Sequence, residues 1–308
     1  MTLQRTTSEQ GGKPHTVRLY GLLAVMVLCW AANFTFAKVA TRELPALLVA
    51  CLRTVCSGVF IAPLYLLLRR SPAFGGRPWK RRDVPRLLTI GVLGLVGNQI
   101  VFVLGVSRTS VAHSALIIAL TPILVLLGAA AARHERLGAL KLGGMALALS
   151  GVVLLQFGSR SGGSASLLGD GLVLVSAAMF AAFSIFGKHT ASELGIITLN
   201  TFAFLGGTVL VLPYALWQLQ RTNLAAVSPA AWISVLYMGV FPSIVGYSIY
   251  AYALRRLPAS RVSSLSYLQP IFATLLAIAF LGEHPGTIFL GGATLVLTGV
   301  WVTQRGYR

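Results

Sequence analysis

Residues 115–132 read ALIIALTPILVLLGAAAA, a run of 18 positions without a charge. A helix needs about 20 mostly apolar residues to cross the hydrocarbon core of a bilayer, and the run widened to 111–132 has that length. Lipid offers a backbone no hydrogen-bond partner, so a spanning segment closes its own bonds as a helix or joins a closed barrel. Barrel strands alternate polar and apolar residues, and this run does not. Nine further segments read the same way: 19–39, 44–68, 87–107, 137–156, 170–188, 195–217, 230–254, 260–281 and 286–304. Composition agrees, with 56% apolar and 10% charged residues and a mean hydropathy of +0.79. A soluble domain carries about 25% charged residues to cover its surface. The connections are short, the longest being 69–86 and 157–169, which leaves no sizeable soluble domain.

The opening run also holds half of an internal repeat. Pro122-Ile123 recurs as Pro270-Ile271 at an offset of 148, and in the same register Glu135 meets Glu283, Gly143-Gly144 meets Gly291-Gly292, and Gly151 meets Gly299. The chain has five glutamates, so shared hydrophobicity does not account for that register. Earlier in each half the offset is 150, where WAANFTFAK (30–38) lies over FAAFSIFGK (180–188). Five spans per repeat is an odd number, so the second repeat enters the membrane from the opposite side. The expected fold is an all-α integral membrane protein of ten transmembrane helices in two inverted five-helix repeats. Its parts are an N-terminal tail 1–18, a first repeat 19–156, a linker 157–169, a second repeat 170–304 and a C-terminal tail 305–308. Inverted repeats supply two packings of similar energy that open to opposite sides, which is the physical basis of alternating access in secondary transporters.

The net charge of +18 raises a nucleic-acid partner, but position argues against one. With the N-terminus in the cytoplasm, the inner segments hold 18 Lys and Arg and the outer segments hold Arg42, Arg108, Arg160 and Arg221. Such a bias fixes orientation, basic side inward, and predicts an inner-membrane, multi-pass protein with both termini cytoplasmic. The basic cluster at 69–86 also suits anionic membrane lipid. The first span is too long for a cleaved signal and carries Asn33 and Lys38. Cys29, Cys51 and Cys56 all fall in predicted helices, which implies no disulfide framework.

These residues resemble the EamA-type family of the drug/metabolite transporter superfamily. The resemblance runs from about Leu19 to Gln304 and rests on WAANFTFAK (30–38), Pro45, Arg53, Thr121-Pro122, Glu135, Gly169-Asp170, Lys188, Gln269-Pro270, Gly282-Glu283 and the paired glycines of the last span. It implies ten helices in inverted repeats, a central cavity lined mainly by helices other than the fifth and tenth, and transport, often export, of amino acids, metabolites or cationic drugs. Arg53 falls on Ala203 at the 150 offset, so this charge is not duplicated.

Arg53 lies about nine positions into the second span, where an arginine costs roughly 2.5–3.5 kcal/mol on insertion scales. Such a residue contacts an anionic group of the cargo, or is held by helix carbonyls or by Glu43. Trp30, Asn33, Phe34 and Ala37 share one helical face, where an amide among aromatics orients a solute or bonds a neighbouring helix; Asn98 and Gln99 read the same way. Phe183 sits under Asn33 in the repeat alignment and joins the cavity candidates. Ser243, Tyr247 and Tyr250, and then Ser260, Ser263 and Tyr267, form hydroxyl stripes that face either a cavity or a helix contact. Pro122 and Pro270 each remove a helix bond in mid-span and are candidate hinges or kinks. The glycines of the fifth and tenth spans pack the halves together or form a dimer contact. Lys38 and Lys188 are expected to snorkel to water at span ends.

All seven acidic residues fall in loops or at span ends, so a buried carboxylate for proton coupling is missing from the sequence. His113 is the candidate coupling group, as the one residue in a predicted span that titrates near neutrality. Phosphate-loop, HExxH and GxSxG motifs are absent, and the expectation is a non-enzyme without cofactor or metal. The sequence thus predicts a secondary transporter or facilitator exporting amino acids or related small metabolites, as monomer or homodimer. A proton-coupled drug or cation exporter is the alternative within transport, and a membrane-embedded enzyme or sensor the alternative outside it.

Overall fold

A computed structural model describes residues 12–72, 74–109, 111–158, 166–272, 275–276 and 287–307. The described residues are helical apart from turns and one isolated backbone bridge, Gly75 to Gly195. Of the ten predicted spans, the first corresponds to α1 (Gly12–Glu43), which begins inside the expected N-terminal tail, and the second to α2 (Ala46–Leu68). The third is composite: α3 (Val84–Leu88), a π-helical stretch Thr89–Gly97, and α4 (Asn98–Arg108). The fourth is split into α5 (Val111–Ile118) and α6 (Thr121–Ala131), and the fifth is α7 (Ala139–Gly158). Then follow α8 (Leu167–Leu194) and α9 (Ile196–Leu219). The eighth span is α10 (Pro229–Val240), a π-helical stretch Phe241–Gly246, and α11 (Tyr247–Leu254). The ninth begins with α12 (Ala259–Ser263) and a 3₁₀ stretch Ser264–Leu268, and α13 (Thr287–Arg305) holds the tenth.

Among the described residues seven helices are long and apolar enough to cross a membrane. They correspond to predicted spans one to four and six to eight. The apolar part of α7, Ala139–Leu155, is shorter. Much of the second half of the predicted ninth span, and Gly282 and Glu283 just after it, lie outside the described residues.

Packing pairs the two halves in a pattern that survives their exchange. α1 lies on α10, and α4 lies on α8; α2 meets α9, α6 meets α12, and α7 meets α13. Exchange carries the first pair into the second and returns each of the other three to itself. Glycine makes the last contact possible. A Cβ on Gly299 would lie 2.3 Å from the Ala148 nitrogen, and one on Gly151 would lie 2.6 Å from that of Val296. The repeated glycines therefore join the halves backbone to backbone, whereas Gly143 faces open space.

The lysines expected to reach water bond helix ends instead. Lys38 Nζ donates to the carbonyls of Val106 (2.8 Å) and Thr109 (2.7 Å), and Lys188 Nζ to that of Leu257 (2.8 Å). The last carbonyls of a helix lack intrahelical partners and carry negative dipole charge. An ammonium that meets them within the bundle gains more than one that bends outward. The turn between α8 and α9 is closed by Gly195 at φ 93°, a backbone that L side chains rarely adopt. Around it Glu193 receives Arg77 (2.6 Å) and Arg86 (2.8 Å), and Arg77 also grips Asp83 (2.8 Å). These hydrogen bonds, Asp83 foremost, raise the Arg77 pKa above its ordinary range.

Candidate functional site

One cavity of about 80 Å³ opens between the two halves among the described residues. Trp30, Asn33 and Phe34 reach it from the C-terminal half of α1, Arg53 from the early turns of α2, and Asn98, Gln99 and Phe102 from α4. Thr121 and Ile118 flank the break in the fourth span, and Ser176, Phe180, Pro242, Tyr247, Ser266 and Gln269 complete the wall. The cavity therefore lies toward the α1–α2 turn and away from the α8–α9 turn.

Pro242 explains how Arg53 is held. Proline has no N–H, so the carbonyl four residues back, that of Met238, loses its helical donor. That oxygen accepts from Ser243 Oγ (2.7 Å) and Arg53 Nη2 (3.4 Å), and Nη2 also donates to Ser243 Oγ (3.1 Å). The Pro242 carbonyl accepts from Trp30 Nε1 at 3.1 Å, and Ser57 Oγ donates to the Gly239 carbonyl at 2.8 Å. The π-helical stretch is thus stitched to α1 and α2 by the groups its irregular backbone leaves over. Arg53 is 2% exposed, and its Nε and Nη1 have no hydrogen-bond partner among the described residues. Glu43 does not hold it, contrary to one expectation, because that carboxylate accepts from the Ser228 N–H (2.6 Å) and Oγ (2.7 Å) at the start of α10.

Asn98 serves as a tie between helices. Its amide donates to the Ser176 carbonyl (2.6 Å) and Oγ (3.1 Å), while its oxygen accepts from Tyr247 Oη (2.9 Å). Gln99 Oε1 lies 3.1 Å from Ser243 Oγ, whose single proton it shares with the Met238 carbonyl, and Nε2 has no partner among the described residues. Asn33 Oδ1 and Thr121 Oγ1 are likewise buried and unpartnered there. Trp30 stands edge-on to Phe180, its mate in the repeat, with ring centres 5.5 Å apart, and to Tyr247 at 5.6 Å.

Of the candidates read from sequence, Trp30, Asn33, Phe34, Arg53, Asn98, Gln99 and Tyr247 line this cavity. Phe183, Tyr250, Ser263 and Tyr267 do not. Phe183 packs beside Tyr247, Tyr250 Oη pairs with Ser184 Oγ at 2.6 Å, and Ser263 Oγ donates to the Ser260 carbonyl at 3.1 Å. Tyr267 is fully buried and its hydroxyl has no partner among the described residues. The ninth-span stripe assumed a continuous α-helix. The 3₁₀ stretch Ser264–Leu268 turns faster, at about 3.0 residues per turn, and presents Ser266 and Gln269 instead. Pro122 does not remove a bond in mid-helix: it is the second residue of α6, where a missing N–H is tolerated. Pro270 is buried just past the 3₁₀ stretch. The His113 side chain lies outside the described residues.

Sequence reading missed Phe102, Ile118, Thr121, Ser176, Phe180, Pro242, Ser266 and Gln269 as cavity residues. The repeat held a signal for part of this set, because Trp30/Phe180, Ile118/Ser266 and Thr121/Gln269 are equivalent positions that all reach the wall.

The model of the EamA-like transporter family matches residues 18–157 and again 167–305. An uncharacterised transporter of Archaeoglobus fulgidus is 27% identical over 92% of this chain and 98% of its own. A protein of Streptantibioticus cattleyicolor named "Probable terminal-alkyne amino-acid exporter" is 28% identical over 92% of each chain. One of Salmonella typhimurium named "Probable amino-acid metabolite efflux pump" is 28% identical over 94% of this chain and 95% of its own. A solved crystal structure shares the fold at a TM-score of 0.75 and 21% identity, covering 95% of this chain and 98% of that one.

Proposed function

We propose, from the premise that this chain belongs to the EamA-like transporter family, that it is an inner-membrane secondary transporter or facilitator exporting amino acids or related small metabolites by alternating access. The observation that carries this reading is the cavity between the two repeats, walled by aromatics and unpartnered polar groups. Among the described residues Asp and Glu do not occur in that wall, which favours a zwitterionic or neutral cargo over a cationic drug. The names of the two relatives described as amino-acid exporter and amino-acid metabolite efflux pump point the same way.

In this reading ten spans form two inverted repeats, 19–156 and 170–304, with both termini in the cytoplasm. The cavity then faces the periplasmic side, and the breaks before Pro122 and Pro270 are where the fourth and ninth spans bend as access alternates. Purified protein in liposomes should move members of a labelled amino-acid panel in counterflow. Failure to move any of them, with or without a pH gradient, would overturn the proposal. A cysteine placed at Gly75 should react with cytoplasmic reagent; labelling from the periplasm would reverse the orientation.

A further inference from the structure

Arg53 is a buried cation whose own chain supplies no counter-charge among the described residues. The described acids are occupied at the ends of the bundle: Glu43 by Ser228, Asp83 by Arg77, Glu135 by Ser260, Asp170 by Thr109, and Glu193 by Arg77 and Arg86. Only Nη2 of the guanidinium is bonded, which leaves the Nε–H and Nη1–H donors, on different edges of the group, without an acceptor among the described residues. A buried charge left unpaired is strongly unfavourable, so the site calls for an anion from outside the chain. Gln99 adds a second unpartnered donor, and Ser243 bridges it to Arg53.

The same cavity also presents the opposite polarity. Asn33 Oδ1 and Thr121 Oγ1 are acceptors without a donor among the described residues, and the rings of Trp30 and Phe180 add π-faces that attract an ammonium. Unmet donors and unmet acceptors in one small space complement a molecule that carries both charges. We infer that the cavity is a zwitterion site in which Arg53 and Gln99 take the α-carboxylate and Asn33 and Thr121 take the α-ammonium. The cargo class is an α-amino acid with a small apolar side chain, since Phe34, Phe102, Ile118 and Pro242 offer apolar wall for it. At about 10–15 Å³ for each water-sized group, the 80 Å³ present admit roughly five to eight such groups, enough for a small amino acid. This inference rests on the transport reading above.

The test is competition against labelled L-alanine counterflow in liposomes holding the full chain. The competitors are unlabelled alanine, alaninamide, which lacks the carboxylate, and propionate, which lacks the ammonium. Alanine should compete at least about tenfold better than either. Arg53→Gln should weaken alanine by at least about tenfold and abolish its advantage over alaninamide, with Arg53→Lys restoring part of both. Thr121→Val should erode the advantage over propionate instead. Equal competition by alanine and alaninamide in the unmodified protein overturns the inference while leaving transport intact, even if the Arg53 variants fail to fold. So does a folded Arg53→Gln protein that discriminates as the parent does. Loss of alanine binding in chloride but not gluconate, without discrimination from alaninamide, would assign Arg53 to an inorganic anion and also overturn it. A protein that moves no amino acid removes both readings together.

Discussion

The turn between α1 and α2 and the turn between α8 and α9 occupy equivalent places in the two repeats, yet they are fastened differently. Glu43 and Glu193 are 150 residues apart, as are Lys38 and Lys188. Both lysines do similar work, each bonding carbonyls at or just past the C-terminal end of a helix in its own half. The glutamates diverge. Glu43 accepts from one serine, while Glu193 is gripped by two arginines beside a backbone bridge between Gly75 and Gly195. The cavity lies toward the lightly held turn, and the opposite region is closed by contacts such as Ser184–Tyr250 (2.6 Å) and Asn200–Ser248 (3.2 Å). The two ends share one skeleton and differ in the charges fastened across it.

What the repeats share should be hardest to break. Gly299→Leu drives a side chain into the backbone of α7 and should remove nearly all folded protein in size-exclusion chromatography, an overpacking cost of about 3 kcal/mol or more. Gly143→Ala, with open space around it, should stay within about 0.5 kcal/mol of the parent. Equal effects would remove the α7–α13 crossing as the joint between halves. Ala203→Arg tests why the second repeat lacks its own arginine. Ala203 is fully buried, and a Cβ on Gly91 would lie 2.7 Å from its own, so a guanidinium there has neither room nor partner. A loss of about 3–5 kcal/mol is expected in thermal unfolding. A stable variant would mean that the asymmetry has no packing cause.

Lys38→Met and Lys188→Met should each cost about 1–3 kcal/mol, and by similar amounts, if their bonds to helix ends are equivalent. A large disparity would separate the two roles. The smallest effect on stability, and the sharpest on the comparison, is Glu193→Gln against Glu43→Gln. The former should raise labelling of a cysteine at Ser184 by a small polar maleimide, and the latter should not. Equal labelling would show that the ion cluster does not keep that end shut.

Helix positions were legible because lipid leaves a spanning backbone few options, and the repeat was legible because Pro, Glu and Gly recur in one register. Asn33, Arg53, Asn98, Gln99 and Tyr247 followed from the rule that a polar side chain within a span needs a reason, and Trp30 and Phe34 from sharing the Asn33 face. What the sequence did not disclose were departures from the 3.6-residue period. The hydroxyls at Ser263 and Tyr267 sat on the expected face only for an unbroken helix, and the 3₁₀ stretch moved that face to Ser266 and Gln269. Pro242 escaped notice because its effect is indirect: it frees a carbonyl that two other residues then bind. Pro122, by contrast, stands in the first turn of a helix, where its missing N–H costs little.

Thr89–Gly97 and Phe241–Gly246 wind wider than the helices that continue them. A π turn spends one residue more than an α turn over the same path, and one residue is worth about 100° of angular phase. Everything beyond Phe241–Gly246 is therefore clocked by that surplus, including the tyrosine whose hydroxyl meets Asn98 at 2.9 Å. Deleting a single residue there would leave the eighth span apolar and of nearly the same length, yet swing Tyr247 off the wall.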